Sequence, residues 1–162
     1  MKVTIRRLDS DGRYETLVRR DDGVSFHIKG VAHRFTIPHD LAHFLVEKAL
    51  GLRHGFWGSS HLEGRRKPKA AERSKAVLKA NARPLTEAEV LVRIFNDTIE
   101  QGHTQASPVL QERLKERWAA PGSQLREISG ANIAEIFASY SKMQLKWRDL
   151  PVGGTLELFW SN

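Results

Sequence analysis

The chain contains no cysteine, so disulfide bonds, thiolate zinc ligands and cysteine nucleophiles are excluded from its chemistry. Long hydrophobic runs are also missing, because no apolar stretch approaches the roughly 20 residues that a membrane-spanning helix needs. The first residues, Met1–Arg7, become charged at once, which predicts that there is no signal peptide. From these absences we expect a cytoplasmic bacterial protein with no membrane association.

The rest of the composition is that of an ordinary globular protein. The chain has 162 residues, of which 40% are hydrophobic and 28% are charged. This length suits one domain over residues 1–162 that is large enough to bury a hydrophobic core.

The net charge of +7 is concentrated in one segment of the chain. Residues 63–83 carry eight lysine or arginine side chains against only Glu63 and Glu72, whereas the rest is almost neutral. The segment could contact the phosphates of a nucleic acid or an acidic partner, or it could be a solvated helix face and linker. No interleaved aromatic residue or recognition motif favours nucleic acid. The candidate contacts are Arg65, Arg66, Lys67, Lys69 and Arg73.

Apolar and polar residues alternate through residues 1–38, which predicts β-strands. Turn sequences at 9–12 and 21–23 separate the strands, and connections this short require antiparallel pairing. The predicted strands are Lys2–Leu8, Arg13–Arg20, Val24–Lys29 and Ala32–Ile37.

After Pro38 the apolar spacing becomes helical. A first helix is predicted over 39–50, with Gly51 as its C-terminal stop, and a loop and the basic segment fill 51–83. Within that segment a helix is expected from Ala70 to Asn81, and Pro84 should end it.

Further helices are predicted over 84–150. They begin at a capping box, Thr86–Glu89, and at Ser107 and Ser129, and a last strand is expected over 155–161. The predicted fold class is α+β: an antiparallel sheet from the N-terminal hairpins plus a C-terminal strand, with four or five helices packed on one face.

One motif suggests a reaction, the sequence His39-Asp40-Leu41-Ala42-His43 at the start of the first helix. Histidines four residues apart share a helix face and can bind one divalent metal such as zinc, as in the metalloprotease pattern, although Asp40 replaces the usual glutamate. Metal-assisted hydrolysis would use Asp40 or Glu47 as the base. Alternatively, Asp40 caps the helix and the histidines line its polar face.

The predicted site lacks an obvious third ligand. Glu47 lies about 12 Å along the helix axis from His39, so we expect it to orient His43 rather than to bind the same ion. The other candidates are His33, His54, His61 and His103.

The loop after the first helix contains Gly55-Phe56-Trp57-Gly58, two large aromatic residues between glycines. The aromatic rings could form one wall of a pocket beside His43, or they could plug the hydrophobic core.

The helix motif and this loop together resemble a group of small uncharacterised bacterial proteins. The residues that carry the resemblance are Ile37–Phe44, Val46-Glu47, Gly51-Leu52 and Gly55–Gly58, continuing through Ala82-Arg83 and Leu85–Val90. The resemblance implies that helix and loop belong together, but it implies no activity or catalytic residue. An enzyme, a non-enzymatic binding module and a structural or interaction protein therefore all stay open.

Overall fold

Two tight turns join the first three strands of the computed structural model into antiparallel hairpins. The structure describes residues 1–32, 37–53, 55–58, 75–103, 105, 107–118 and 128–161. Its strands are β1 (Lys2–Arg7), β2 (Arg13–Arg19), β3 (Ser25–Val31) and β4 (Thr155–Phe159). Its helices are α1 (His39–Leu50), α2 (Lys75–Glu100), α3 (Pro108–Trp118) and α4 (Gly130–Arg148), with one further helical turn at 56–58. The predicted α+β class is confirmed.

The sheet has the order β3-β2-β1-β4, so the C-terminal strand pairs antiparallel with the N-terminal one, as expected from its alternating sequence. One face of the sheet is buried, and on β1 and β2 it consists of Val3, Ile5, Tyr14, Thr16 and Val18. The residues between them point to the other face and are exposed or half-buried. The helices therefore cover only one side of the sheet.

Most of the predicted helix boundaries are confirmed. Gly51 ends α1 in the left-handed conformation at φ 61°, which glycine adopts without strain. The hydroxyls of Ser107 and Ser129 each accept a hydrogen bond at 3.1 Å from a backbone N–H three residues later, and so cap α3 and α4.

The predicted break at Pro84 is wrong, because α2 continues without interruption through Pro84 and through the supposed capping box at Thr86. A proline inside a helix costs about 3 kcal/mol, since it removes one hydrogen bond and crowds the preceding turn. The second half of α2 buries Leu91 and Phe95 completely, and this packing offsets the cost of the proline.

The fourth predicted strand is Ala32–Ile37, and its two described residues, Ala32 and Ile37, are not part of the observed sheet. Ala32 and Ile37 are buried but lie outside any strand, and residues 33–36 between them are outside the described part of the chain. The helix predicted to begin at Ala70 likewise starts in residues that are not described, and helical structure is seen from Lys75 onward.

None of the helices in the described ranges combines the length and the apolar composition that crossing a membrane requires. The longest, α2, has 26 residues, but charged residues recur along its whole length.

Both tyrosines of the chain are buried, which makes their ionisation a test of the fold. Burial raises the pKa of the Tyr14 and Tyr140 phenols above the ordinary value of 10.0, and the charges of Asp40 and Glu100, respectively, raise it further. Tyr14 also covers Gly30 on the neighbouring strand so closely that a β-carbon there would overlap its ring.

We therefore predict that neither tyrosine ionises at pH 10 while the protein is folded. Because the folded pKa values lie above the unfolded ones, the stability that these phenols contribute is complete below pH 10 and is lost as the pH rises further. An alkaline titration should show tyrosinate absorbance appearing together with the loss of circular dichroism. Ionisation of either ring near pH 10 with native circular dichroism would contradict this.

Candidate metal centre

Three potential metal ligands converge between α1 and α2. His39 and His43 lie one turn apart on α1, and their ring centroids are 4.7 Å from each other. Glu89 of α2 reaches both: its Oε2 lies 3.3 Å from Nε2 of His39, and its Oε1 lies 3.3 Å from Nε2 of His43. One ligand atom from each residue can be chosen so that all three lie within 4.8 Å of one another. The set comprises two imidazoles and one carboxylate.

His43 is the buried member of this group, with only 2% of its side chain exposed. Its Nδ1 lies 2.9 Å from Oε1 of Glu47, so a neutral His43 donates its single N–H to this carboxylate and keeps a lone pair on Nε2. Nε2 is buried and makes no hydrogen bond within the described residues, although Oε1 of Glu89 lies 3.3 Å from it. A buried lone pair is thus directed towards His39 and Glu89.

Glu47 is completely buried, and backbone N–H groups surround its carboxylate. The amides of Phe56 and Trp57 donate to it at 2.7 and 2.8 Å, and the amide of Gly58 lies 3.4 Å away. These three residues form the helical turn after α1, and free N–H groups at the start of a helical turn favour an anion. Glu47 therefore joins the loop to His43, and the predicted pairing of Glu47 with His43 is present.

The two aromatic residues of the loop have different surroundings. Trp57 is fully buried, its ring packs edge-on against Phe44, and its Nε1 donates at 2.9 Å to the carbonyl of Asp40. Phe56 is half-buried, and its ring centroid lies 5.6 Å from that of His43. Trp57 thus belongs to the hydrophobic core, as one of the two interpretations of the loop expects. Phe56 lies beside His43, as the other interpretation expects.

Asp40, a predicted base, faces the sheet. Its Oδ2 accepts a hydrogen bond at 2.8 Å from the Thr16 hydroxyl. Asp40 lies in the first turn of α1 as expected, whereas the N-cap residue, Pro38, makes no side-chain cap hydrogen bond. Asp40 and Glu47 are both outside the three-ligand group and outside the groove described below. A base role for either carboxylate stays a prediction, and each has a structural contact instead.

The charges around His43 favour a cation at this position. Burial lowers the pKa of His43, but the hydrogen bond to Glu47 and the negative charges of Glu47 and Glu89 raise it more, so that it lies above 6.5. His43 therefore lies between two carboxylates that favour a positive charge, and a metal ion bound at Nε2 would be stabilised by the same two charges.

The ligand group opens onto a groove of about 390 Å³ along α2. Its lining residues are His39, Glu89, Val90, Arg93, Asn96, Asp97 and Glu100. A metal ion held by His39 and Glu89 would therefore be accessible from solvent.

Glu89 is the ligand that the sequence did not identify. In the sequence it looks like the last residue of a capping box, and the only clue was that a two-histidine helix motif requires a carboxylate or histidine from elsewhere. His103 is described but lies outside the group. Three predicted third ligands, His33, His54 and His61, and the five predicted nucleic-acid contacts lie outside the described residues.

Gly55 is predicted to be essential for the contact between the loop and Glu47. A β-carbon at this position would overlap the Glu47 carboxyl group, so Gly55→Ala should destabilise the fold by about 1–3 kcal/mol, as overpacked buried sites do. Urea unfolding monitored by tryptophan fluorescence would measure the change. The matched control is Gly130→Ala at the start of α4, where a β-carbon meets no atom within 4 Å and no destabilisation is expected. Equal stabilities of the two variants would contradict the prediction.

Comparison with known proteins supplies neither a family nor a function for this arrangement. No protein-family model, curated protein or solved structure matches the chain. The geometry of His39, His43 and Glu89 and of the groove beside them is therefore the basis for the proposed function.

Proposed function

We propose that the protein binds a divalent transition-metal ion such as zinc through His39, His43 and Glu89, and that the ion serves metal-assisted hydrolysis. The observation that supports this most is the buried Nε2 of His43, which makes no hydrogen bond within the described residues and lies 3.3 Å from Oε1 of Glu89. A buried polar atom without a partner is costly, and a metal ion would satisfy it.

The ligand types and the access from solvent favour a catalytic ion over a structural one. Catalytic zinc sites use three protein ligands, two histidines and a glutamate among the common sets, and keep one position for water or substrate. The groove beside His39 and Glu89 leaves room for that position. Such an ion lowers the pKa of a bound water to about 7 and so supplies a nucleophile at neutral pH.

In this proposal Glu47 is a positioning residue. Metal-binding histidines usually donate their second ring N–H to a carboxylate, which fixes the ring and makes the ligand nitrogen more basic. Glu47 accepts such a bond from His43 and is itself held by the amides of Phe56 and Trp57. The His43 ring is therefore oriented before any ion binds.

Nucleic-acid or acidic-partner binding through the basic segment stays a prediction, because its candidate contacts are outside the described residues. No observation on the described part of the chain favours it over the metal centre.

Metal binding is tested by titrating tag-free protein with zinc in a calorimeter. We expect one zinc per chain, and we expect His39→Ala and Glu89→Gln to weaken binding by about 100-fold or more, since loss of a direct ligand should exceed the 10–100-fold effect of an outer-shell partner. The side chains of both residues are about half exposed, so both variants should fold. His27→Ala is the matched control, because His27 is equally exposed and also pairs with a glutamate, Glu15.

The proposal of metal binding fails if the wild-type protein takes up no zinc. It also fails if His39→Ala binds zinc as tightly as His27→Ala does.

The hydrolytic role makes a separate prediction. Zinc-loaded protein should hydrolyse activated aryl esters or aryl phosphates, and the rate should fall to the uncatalysed background in Glu89→Gln or after treatment with a chelator, because both remove the activated water. His27→Ala should keep the wild-type rate. Turnover that survives chelation, or a fully loaded protein with no turnover of either class of substrate, would argue against this role.

A further inference from the structure

Arg93 faces the same groove as the proposed metal ligands. It follows Glu89 by four residues on α2, so the two side chains lie on one helix face with their backbones about 6 Å apart along the axis. Both residues line the groove, and Arg93 is exposed to solvent. Arg93 therefore places a positive charge one helical turn from Glu89, at the groove beside the proposed metal ligands.

The guanidinium of Arg93 is not neutralised within the described part of the chain. A glutamate and an arginine four residues apart normally form an ion pair, but both oxygens of Glu89 face histidines at 3.3 Å instead. No salt bridge or hydrogen bond joins Arg93 to another described residue. The side chain is thus available to a bound molecule.

A neighbouring amide adds hydrogen-bond donors to the same groove. The Oδ1 of Asn96 accepts a hydrogen bond from the Tyr140 hydroxyl at 2.5 Å, which leaves the two N–H donors of the amide for a ligand. Asn96 lines the groove three residues beyond Arg93. Asp97 and Glu100 also line the groove, and their negative charges disfavour an anion anywhere except beside Arg93 and the proposed metal ligands.

We infer that the substrate of this centre carries an oxyanion, a carboxylate or a phosphate, bound between the metal ion and the Arg93 guanidinium. The inference rests on the proposed function. A divalent ion with two neutral imidazoles and the Glu89 carboxylate keeps one positive charge, and Arg93 provides a second beside it. The planar guanidinium donates two parallel hydrogen bonds to a carboxylate or phosphate, and Asn96 adds a further donor.

The test uses cobalt(II)-loaded protein, whose visible absorbance reports both metal binding and changes at the metal. Inorganic phosphate and acetate are titrated separately, and the tighter of the two identifies the kind of oxyanion. We expect both anions to change the spectrum of the wild-type protein. Arg93→Gln should keep the cobalt affinity within about twofold but weaken anion binding by about tenfold or more, because one charge-assisted interaction is lost.

Two further variants make the result specific. Arg93→Lys should fall between wild type and Arg93→Gln, since it keeps the charge but loses the fork of donors. Arg6→Gln is the matched control, because Arg6 is an exposed arginine on the outer face of the sheet, and it should bind both anions as the wild type does.

The possible failures can be told apart. If the wild-type protein binds no cobalt, the metal centre itself is wrong and this inference falls with it. If cobalt binds but neither anion changes the spectrum, or if Arg93→Gln binds anions as tightly as Arg6→Gln does, the metal centre stands and the assignment of Arg93 is overturned.

Discussion

The candidate site depends on the buried carboxylate of Glu47. A charge removed from water costs several kcal/mol unless other groups compensate for it. Here the His43 ring and the amides of Phe56 and Trp57 supply that compensation together. The loop can approach so closely because Gly55 has no side chain. One carboxylate thereby fixes both a loop and the ring that would bind a metal ion.

Further contacts connect this carboxylate to the sheet. Trp57 donates a hydrogen bond to the backbone of Asp40, and Asp40 in turn accepts one from Thr16 on β2. The first turn of α1 is thus held from the loop side and from the sheet side. The side chain of His39 extends from the same turn towards solvent. This exposed ligand is therefore attached to a part of the helix that is held on both sides.

Local sequence accounts for much of the fold and for about half of the site. The alternation at the C-terminus predicted β4, and the spacing after Pro38 predicted α1 with its two histidines. Local propensity predicts a break at Pro84 because it carries no information about the buried half of α2. The sequence does not identify Glu89 as a ligand for a related reason: Glu89 meets the histidines only because α2 packs on α1, and no sequence spacing encodes that contact.

The three proposed ligands come from two separate helices, so metal binding would be coupled to the folding of the chain. A metal ion bound to His39, His43 and Glu89 would cross-link α1 to α2 and close the long connection between them. Such a clip reduces the number of conformations open to the unfolded chain and draws the equilibrium towards the folded state. The metal ion would then stabilise the tertiary structure as well as take part in the reaction. The concentration of available metal in the cell would help to determine the folded fraction of the protein.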